Sequence, residues 1–137
     1  MQVTIPGHLF ADLPFYDVLE TDDTVIVDLH NRPNLANERG ALQGGLVATL
    51  IDVAAGQLAY ALADRGSGVS TADMTIHYLA PILTGPARAV ATLVRKGRRT
   101  VVVAVDVFDV GEDRLAVRAT LSFAVLFPRG DQPVTAP

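Results

Sequence analysis

Residues 44–64 have the sequence GGLVATLIDVAAGQLAYALAD, an apolar segment that sets the architecture of the whole chain. Small and aliphatic residues occupy all sides of the segment, and Arg65-Gly66-Ser67-Gly68 follows it as a stop signal. These features predict one helix that runs from Gly44 to Asp64. Because the helix has no polar face, we expect the rest of the protein to enclose it on all sides rather than to contact it along one side.

The segments before and after this helix predict β-strands, because apolar and polar residues alternate along them. Two strands are predicted before the helix and four at hairpin spacing after it, at residues 16–20, 24–30, 69–79, 87–96, 99–109 and 114–127. A single crossover helix is too few for a doubly wound parallel sheet. The predicted fold class is therefore α+β, with one curved antiparallel sheet wrapped around one long central helix.

The composition limits the classes of function. The 137 residues suit one domain, residues 1–137, and half of them are hydrophobic, which is enough to bury a core. A net charge of −4 argues against a nucleic-acid partner. The absence of cysteine excludes thiolate ligands and cysteine nucleophiles, and the spacing of His8, His30 and His77 suggests no metal site.

The apolar segment is also long enough to raise the question of a membrane span. Thr49, Asp52 and Gln57 interrupt it, and patterned strands follow it rather than a loop with topology signals. The first residues lack the basic start and the apolar stretch of a signal peptide. We therefore expect a cytoplasmic protein with no membrane partner.

Asp52 is the one charged residue inside the apolar segment before its last residue, Asp64. Burial of an unpaired carboxylate is costly, so we expect Asp52 to be paired, protonated or functional. The structural alternative is a helix carboxylate that reaches an arginine or lies in a subunit interface. The position alone leaves both interpretations open.

Gln43-Gly44-Gly45 opens the predicted helix, where free backbone N–H groups and the helix dipole favour a developing oxyanion. Glycines before a helix are also ordinary caps. Asp52 lies eight residues after Gly44, or roughly 12 Å along a helix that rises about 1.5 Å per residue. One helix cannot place both groups about 3 Å from one reacting atom. Two antiparallel helices of a symmetric dimer can, so a site that uses both groups would be shared between subunits.

Residues 37–45, NERGALQGG, followed by residues 50–52, LID, resemble the N-x-x-G-x-x-H-G-G-x-x-x-x-L-x-D signature of hot-dog-fold thioesterases. The resemblance is greatest to the PaaI-like acyl-CoA thioesterases of the phenylacetate pathway. It extends to residues 69–81, similar to the third strand of that family, and to the hairpin at residues 95–99. Together these pieces cover roughly residues 15 to 127.

The resemblance implies a hot-dog fold and a catalytic site made of Asp52, Gly44, Asn37, Thr71 and Gln43. In that family the aspartate is the nucleophile or general base, and the first glycine N–H binds the thioester oxygen. The asparagine positions the water or the carboxylate, and a serine or threonine on the third strand assists. Thr71 matches this last position, with Ser70 as the alternative if the strand register differs by one residue.

Gln43 departs from the family pattern, which has histidine there. Glutamine still forms hydrogen bonds but carries neither a proton to transfer nor a positive charge. The substitution leaves two interpretations open, an acyl-CoA thioesterase or a non-catalytic protein that binds acyl-CoA or an acyl carrier. A hot-dog hydratase is disfavoured, because no histidine lies near Asp52 in the helix or its flanking loop.

The implied partners are small thioesters and further copies of the chain. The substrate is acyl-CoA or another small thioester, with CoA as part of the substrate and with no separate cofactor. Homodimers or homotetramers would share active sites between subunits. The basic residues Arg95, Lys96, Arg98 and Arg99 are either a solvated turn or an anchor for the phosphates of coenzyme A.

Overall fold

A computed structural model describes residues 5–64 and 67–128 of the chain. One long helix, α1, spans Gly44–Leu62. The strands are β1 (Phe15–Glu20), β2 (Thr24–Leu29), β3 (Gly68–Tyr78), β4 (Ala87–Lys96), β5 (Thr100–Asp109) and β6 (Arg114–Leu126). Short 3₁₀ turns occur at Leu9–Asp12, Pro33–Leu35 and Val110–Glu112.

The six strands form one antiparallel sheet in the order β1-β2-β4-β5-β6-β3. The predicted fold class is confirmed, and the strand bounds agree with the prediction to within a residue or two. The spacing of the last four strands was misleading in one respect. Strands β3 and β4 are consecutive in the chain but do not pair, because α1 carries the chain to the far edge of the sheet, where β3 pairs with β6. Strand β3 is therefore an edge strand of the described sheet.

Helix α1 packs on the concave face of the sheet along a single stripe. The buried residues recur at helical spacing, as expected for one face: Val47, Leu50, Ile51, Ala54, Ala55, Leu58 and Ala59. The opposite side carries Gly45 and Tyr60, which are exposed, and Thr49, Asp52 and Gly56, which are half-buried. The prediction of a helix enclosed on all sides is therefore wrong for the single chain, because the sheet curves around one side only.

Helix α1 is long and apolar enough to cross a membrane by length and composition alone, a test that core helices also pass. Its buried stripe faces alternate residues of the sheet that are themselves fully buried, such as Val27, Val103 and Leu121. The apolar residues on this side of the helix are therefore part of the hydrophobic core.

The residues just before α1 are held by the connection between β3 and β4 and by the 3₁₀ turn at Pro33–Leu35. The Leu42 N–H donates to the Ile82 carbonyl at 2.9 Å, and the Gln43 N–H donates to the Leu35 carbonyl at 3.0 Å. The next residues of that connection are bound by Asp109, the last residue of β5. Its carboxylate accepts the N–H groups of residues 83, 84 and 85 at 2.9, 3.3 and 2.7 Å. A rigid loop therefore supports the first turn of the helix.

Candidate functional site

Asp52 lies on the open side of α1, next to strand β3. The Thr71 hydroxyl donates to Oδ1 of Asp52 at 2.7 Å. Asp52 is half-buried rather than enclosed, and its other oxygen, Oδ2, has no hydrogen-bond partner among the described residues. One neutral donor thus orients the carboxylate, and the second oxygen is available to a water molecule or a substrate.

A β-bulge decides which side chains of β3 face the helix. The pairing with β6 shifts between Thr71 and Asp73, so that Thr71 pairs with Phe123 and Met74 pairs with Leu121. Thr71 and Tyr78 are seven positions apart and would face opposite sides of a regular strand. The extra residue in the bulge brings both to the side of α1. The observed register places Thr71, and not Ser70, on the side of α1, because Ser70 pairs with Ala124 on the other face.

The N-terminus of α1 presents unpaired amides. Gln43 is the N-cap residue but its side chain does not cap the helix, and its carbonyl accepts the N–H groups of Leu46 and Val47, both at 3.0 Å. The N–H groups of Gly44 and Gly45 have no acceptor among the described residues. Free amides at a helix start favour an anion or a developing oxyanion. Gln43 is exposed, so its side chain lies at the surface of the single chain.

Asn37 shapes the loop before the helix. Its side-chain oxygen accepts the N–H groups of Arg39 and Ala41 at 2.9 and 3.1 Å, and its backbone N–H donates to the Ala41 carbonyl at 2.7 Å. Gly40 completes the turn with φ +81°, a conformation that favours glycine. No hydrogen bond joins Asn37 to Asp52 of the same chain within the described residues. The loop residue Asn37 and the helix residue Asp52 are therefore not brought together in one chain.

Asn37 also lines a cavity of about 450 Å³ between this loop and the connection that precedes β4. The other residues of its wall are Asn31, Arg32, Pro33, Ala36, Glu38, Gly40, Leu83 and Thr84. Asp52 is not part of this wall, so the cavity and the Asp52–Thr71 pair are separate features of the single chain.

The basic hairpin lies beside the C-terminal end of α1. The Lys96 ammonium is 3.7 Å from a carboxylate oxygen of Asp64. The other three basic residues, Arg95, Arg98 and Arg99, line a concavity of about 350 Å³. Gly97, Thr100 and Val102 complete its wall. The structure therefore gives Lys96 a partner within the chain and groups three guanidinium side chains around one surface depression.

Two further carboxylates in the strands are structural. Asp28, only 5% exposed, forms a two-pronged pair with Arg88 at 2.9 Å for both contacts. The hydrogen bond from Arg88 to Asp28 raises the pKa of Arg88. Asp106 and Arg118 form a similar cross-strand pair at 2.9 and 3.3 Å. Because both pairs lie on the sheet face away from α1, they do not take part in a site at Asp52.

The structure also identifies two residues that the sequence prediction did not include, one that contacts Gly44 and one that anchors the neighbouring loop. The Tyr78 hydroxyl donates to the Gly44 carbonyl at 2.6 Å, although the sequence placed Tyr78 only as a residue of the third strand. Asp109 is fully buried, and its role as a loop anchor was also missed. The alternation of β5 contained the signal for Asp109, because Val103, Val105 and Val107 share its parity and are buried.

The chain belongs to the thioesterase superfamily, whose family model matches residues 39–116, more than half of the sequence. The thioesterase HI1161 of Haemophilus influenzae has a TM-score of 0.81 at 20% identity, over 88% of this chain and 84% of that one. The BH2602 protein of Bacillus halodurans, solved with CoA, is 33% identical with a TM-score of 0.69, over 74% of this chain and 66% of that one.

A curated relative, a candidate esterase of Saccharolobus solfataricus, is 27% identical over 101 residues, which cover 74% of this chain and 71% of the relative. The structural similarity confirms the hot-dog fold. The names of the homologues support hydrolase activity in general terms.

Proposed function

We propose that this protein is an acyl-CoA thioesterase of the PaaI-like type, with Asp52 as the nucleophile or general base. The observation that carries the proposal is the Asp52 carboxylate. Thr71 holds one of its oxygens at 2.7 Å, while the other has no partner in the described chain. A carboxylate with a fixed direction and a spare oxygen suits attack on a carbonyl or activation of water.

The reaction adds the elements of water across the thioester bond. Attack on the carbonyl carbon places negative charge on the carbonyl oxygen, and the N–H of Gly44 stabilises it. The C–S bond then breaks, and the sulfur leaves as the thiol of CoA after it takes up a proton. The other product is the free carboxylic acid. The reaction uses CoA only as part of the substrate and needs no separate cofactor.

The active site combines groups from two subunits of a homodimer or homotetramer. Asp52 and Gly44 are separated by eight residues of one continuous helix, so roughly 12 Å divides them along the axis. The open side of α1 carries Gly45, Thr49 and Gly56, small residues that allow a second helix to approach closely. An antiparallel partner helix would place its aspartate beside Gly44.

The basic hairpin anchors the phosphates of CoA in this proposal. Lys96 pairs with Asp64, just beyond the end of α1; the helix ends at Leu62, ten residues after Asp52, or roughly 15 Å along its axis. That distance is comparable with the length of an extended pantetheine arm. Arg95, Arg98 and Arg99, which line the concavity, are better placed for phosphates than Lys96, which has Asp64 as a partner.

The proposal is tested by the release of free thiol from a panel of acyl-CoAs. We expect Asp52→Asn to lower kcat by roughly a thousandfold, the range of general-base and nucleophile removal. Asp73→Asn is the matched control, because Asp73 is exposed and lies on the other face of β3. Full turnover in folded Asp52→Asn would refute the catalytic assignment. Binding of acyl-CoA by the native protein without turnover would favour the second candidate, a non-catalytic acyl-CoA-binding protein, which the glutamine at position 43 favours.

The shared site is tested by mixing two inactive variants. Gly44 is the first residue of α1 and Gln43 has ψ 131°, so Gly44→Pro fits the backbone while it removes the N–H group. After subunit exchange with Asp52→Asn, each heterodimer should contain one intact site, which restores about a quarter of the native activity at random pairing. A site contained in one chain would show no recovery.

The anchor is tested by comparing substrates with and without the nucleotide. Replacement of Arg98 and Arg99 by glutamine should raise KM for acyl-CoA about fivefold and leave KM for the acyl-pantetheine unchanged. Equal effects on both substrates would contradict a phosphate contact.

A further inference from the structure

Tyr78 contacts the residue that carries the proposed oxyanion donor. Its hydroxyl donates to the Gly44 carbonyl at 2.6 Å, which is short for an O–H···O bond. A Cβ placed on Gly44 would be 3.6 Å from Cε1, Cζ and Oη of Tyr78. The tyrosine side chain therefore occupies the space beside the glycine Cα as well as binding its carbonyl.

Helix capping does not account for this bond. The unpaired groups at a helix N-terminus are N–H groups, whereas carbonyls there accept bonds from residues four positions later. The Tyr78 hydroxyl thus adds a second donor to a carbonyl that the helix already supplies with a partner. The bond instead restrains the orientation of Gly44. Glycine has the least restricted backbone of any residue, and Gly44 lies at a helix end, where helices fray.

The support of Tyr78 is rigid. Tyr78 pairs with Val117 at the end of β3. The next two amides, of Leu79 and Ala80, both donate to the Ala116 carbonyl, at 2.8 and 3.0 Å. Burial raises the pKa of the Tyr78 phenol, so the group remains a protonated donor throughout the neutral range. A fixed strand end therefore presents a permanent hydrogen-bond donor to the first residue of α1.

We propose that Tyr78 is a positioning residue, whose hydroxyl fixes Gly44 so that its N–H group points at the oxygen of the bound thioester. The inference rests on the proposed function. The peptide plane that contains the Gly44 carbonyl also contains the Gly45 N–H group. The hydrogen bond from Tyr78 to this carbonyl polarises the peptide group, which makes the Gly45 N–H a stronger second donor to the thioester oxygen. Tyr78 acts through these amides and does not itself touch the reacting atoms.

The test is Tyr78→Phe, which removes only the hydroxyl, with Tyr16→Phe as the matched control. Tyr16 is 49% exposed, close to the 54% of Tyr78, and it pairs with Asp28 on the sheet face away from α1. We expect Tyr78→Phe to lower kcat about tenfold and to change KM less than twofold, because misalignment of a donor weakens the transition state more than the ground state. The melting temperature should change little, and Tyr16→Phe should match the native protein in all three measurements.

A second measurement does not depend on turnover. The carbonyl carbon of Gly44 and the amide nitrogen of Gly45 should shift in the NMR spectrum of Tyr78→Phe and stay in place in Tyr16→Phe. Native kcat in Tyr78→Phe would overturn the inference and leave the proposed function intact. A fall in stability with proportional changes in kcat and KM would also overturn it, as a merely structural role. If the native protein cleaves no acyl-CoA, the proposed function fails and the role of Tyr78 in it fails too, even if the NMR shifts confirm the contact.

Discussion

Asp109 and Asp52 are both single carboxylates among apolar residues, but their surroundings differ. Asp109 is fully buried, and both of its oxygens accept backbone N–H groups, three in total. Asp52 is half-buried and accepts one side-chain hydroxyl on one oxygen. Backbone amides of the protein occupy both oxygens of Asp109, whereas one oxygen of Asp52 is available to a ligand in the described part of the chain.

The charge of Asp109 is stabilised by its surroundings. Burial alone raises the pKa of this carboxyl, but the amides of Gly85, Leu83 and Thr84, together with the positive charge of Arg114, lower it overall. Asp109 is therefore ionised in the folded protein down to lower pH than an ordinary aspartate. Burial by itself identifies a carboxylate that needs partners, and the type of partner distinguishes an anchor from a reactive group.

The largest change in stability is expected for Asp109→Asn. An amide side chain has one acceptor oxygen, so at least one of the backbone amides of the loop at residues 83–85 would lose its acceptor inside the protein. We expect the free energy of unfolding to fall by about 3 kcal/mol, as for the loss of a buried charge-assisted network. Urea unfolding measures this value. A loss below about 1 kcal/mol would show that the loop does not depend on the charge.

The same carboxyl should make stability depend on pH in the acid range. Because its folded-state pKa lies below the unfolded value of about 3.9, its contribution is fully present above that pH and is lost as the pH falls through the folded-state pKa. The difference in unfolding free energy between native protein and Asp109→Asn should therefore begin to shrink as the pH falls from 7 to 3, by at most about 1.4 kcal/mol per pH unit below the unfolded pKa. A constant difference over that range would contradict the ionised anchor.

A smaller effect, on activity alone, is expected for Thr71→Val. The change keeps the shape of the side chain and removes the donor to Asp52, so the carboxylate loses its fixed direction. We expect kcat for acyl-CoA to fall about tenfold, while Thr71→Ser, which retains the hydroxyl, stays within about threefold of the native value. If the valine and serine variants have equal kcat, the hydroxyl does not orient Asp52.

The smallest effect is expected for the stability of Asp52→Asn. Within residues 5–64 and 67–128, Asp52 has a single hydrogen bond, and it is half-exposed; the asparagine oxygen still accepts from Thr71. We expect the unfolding free energy to change by less than about 0.5 kcal/mol. A loss as large as that of Asp109→Asn would mean that Asp52 is a structural residue, and it would remove the contrast between the two carboxylates.

The strands and the helix were predictable from the sequence, because period-two and apolar patterns are local properties of the chain. The neighbours of β3 were not, since pairing with β6 depends on contacts between residues about fifty positions apart. The exposure of Asp52 was also missed, because an all-apolar helix does not reveal how many of its sides the same chain covers. Thr71 was expected near Asp52 through family resemblance. The alternation of β5 could have indicated that Asp109 is buried, but the hydrogen-bond partners of Asp109 and Tyr78 needed the three-dimensional structure.

The bulge in β3 has a consequence for evolution by insertion and deletion. Loss of Ala72 would remove the bulge and leave Thr71 and Tyr78 six positions apart in a regular strand, so both would still face α1. Loss of one residue elsewhere between them, with the bulge retained, would turn one of the two hydroxyls away from the helix. An alignment of relatives through this strand can therefore place a single-residue gap at the bulge, whereas a single-residue gap elsewhere between the two hydroxyls moves one of them to the other face.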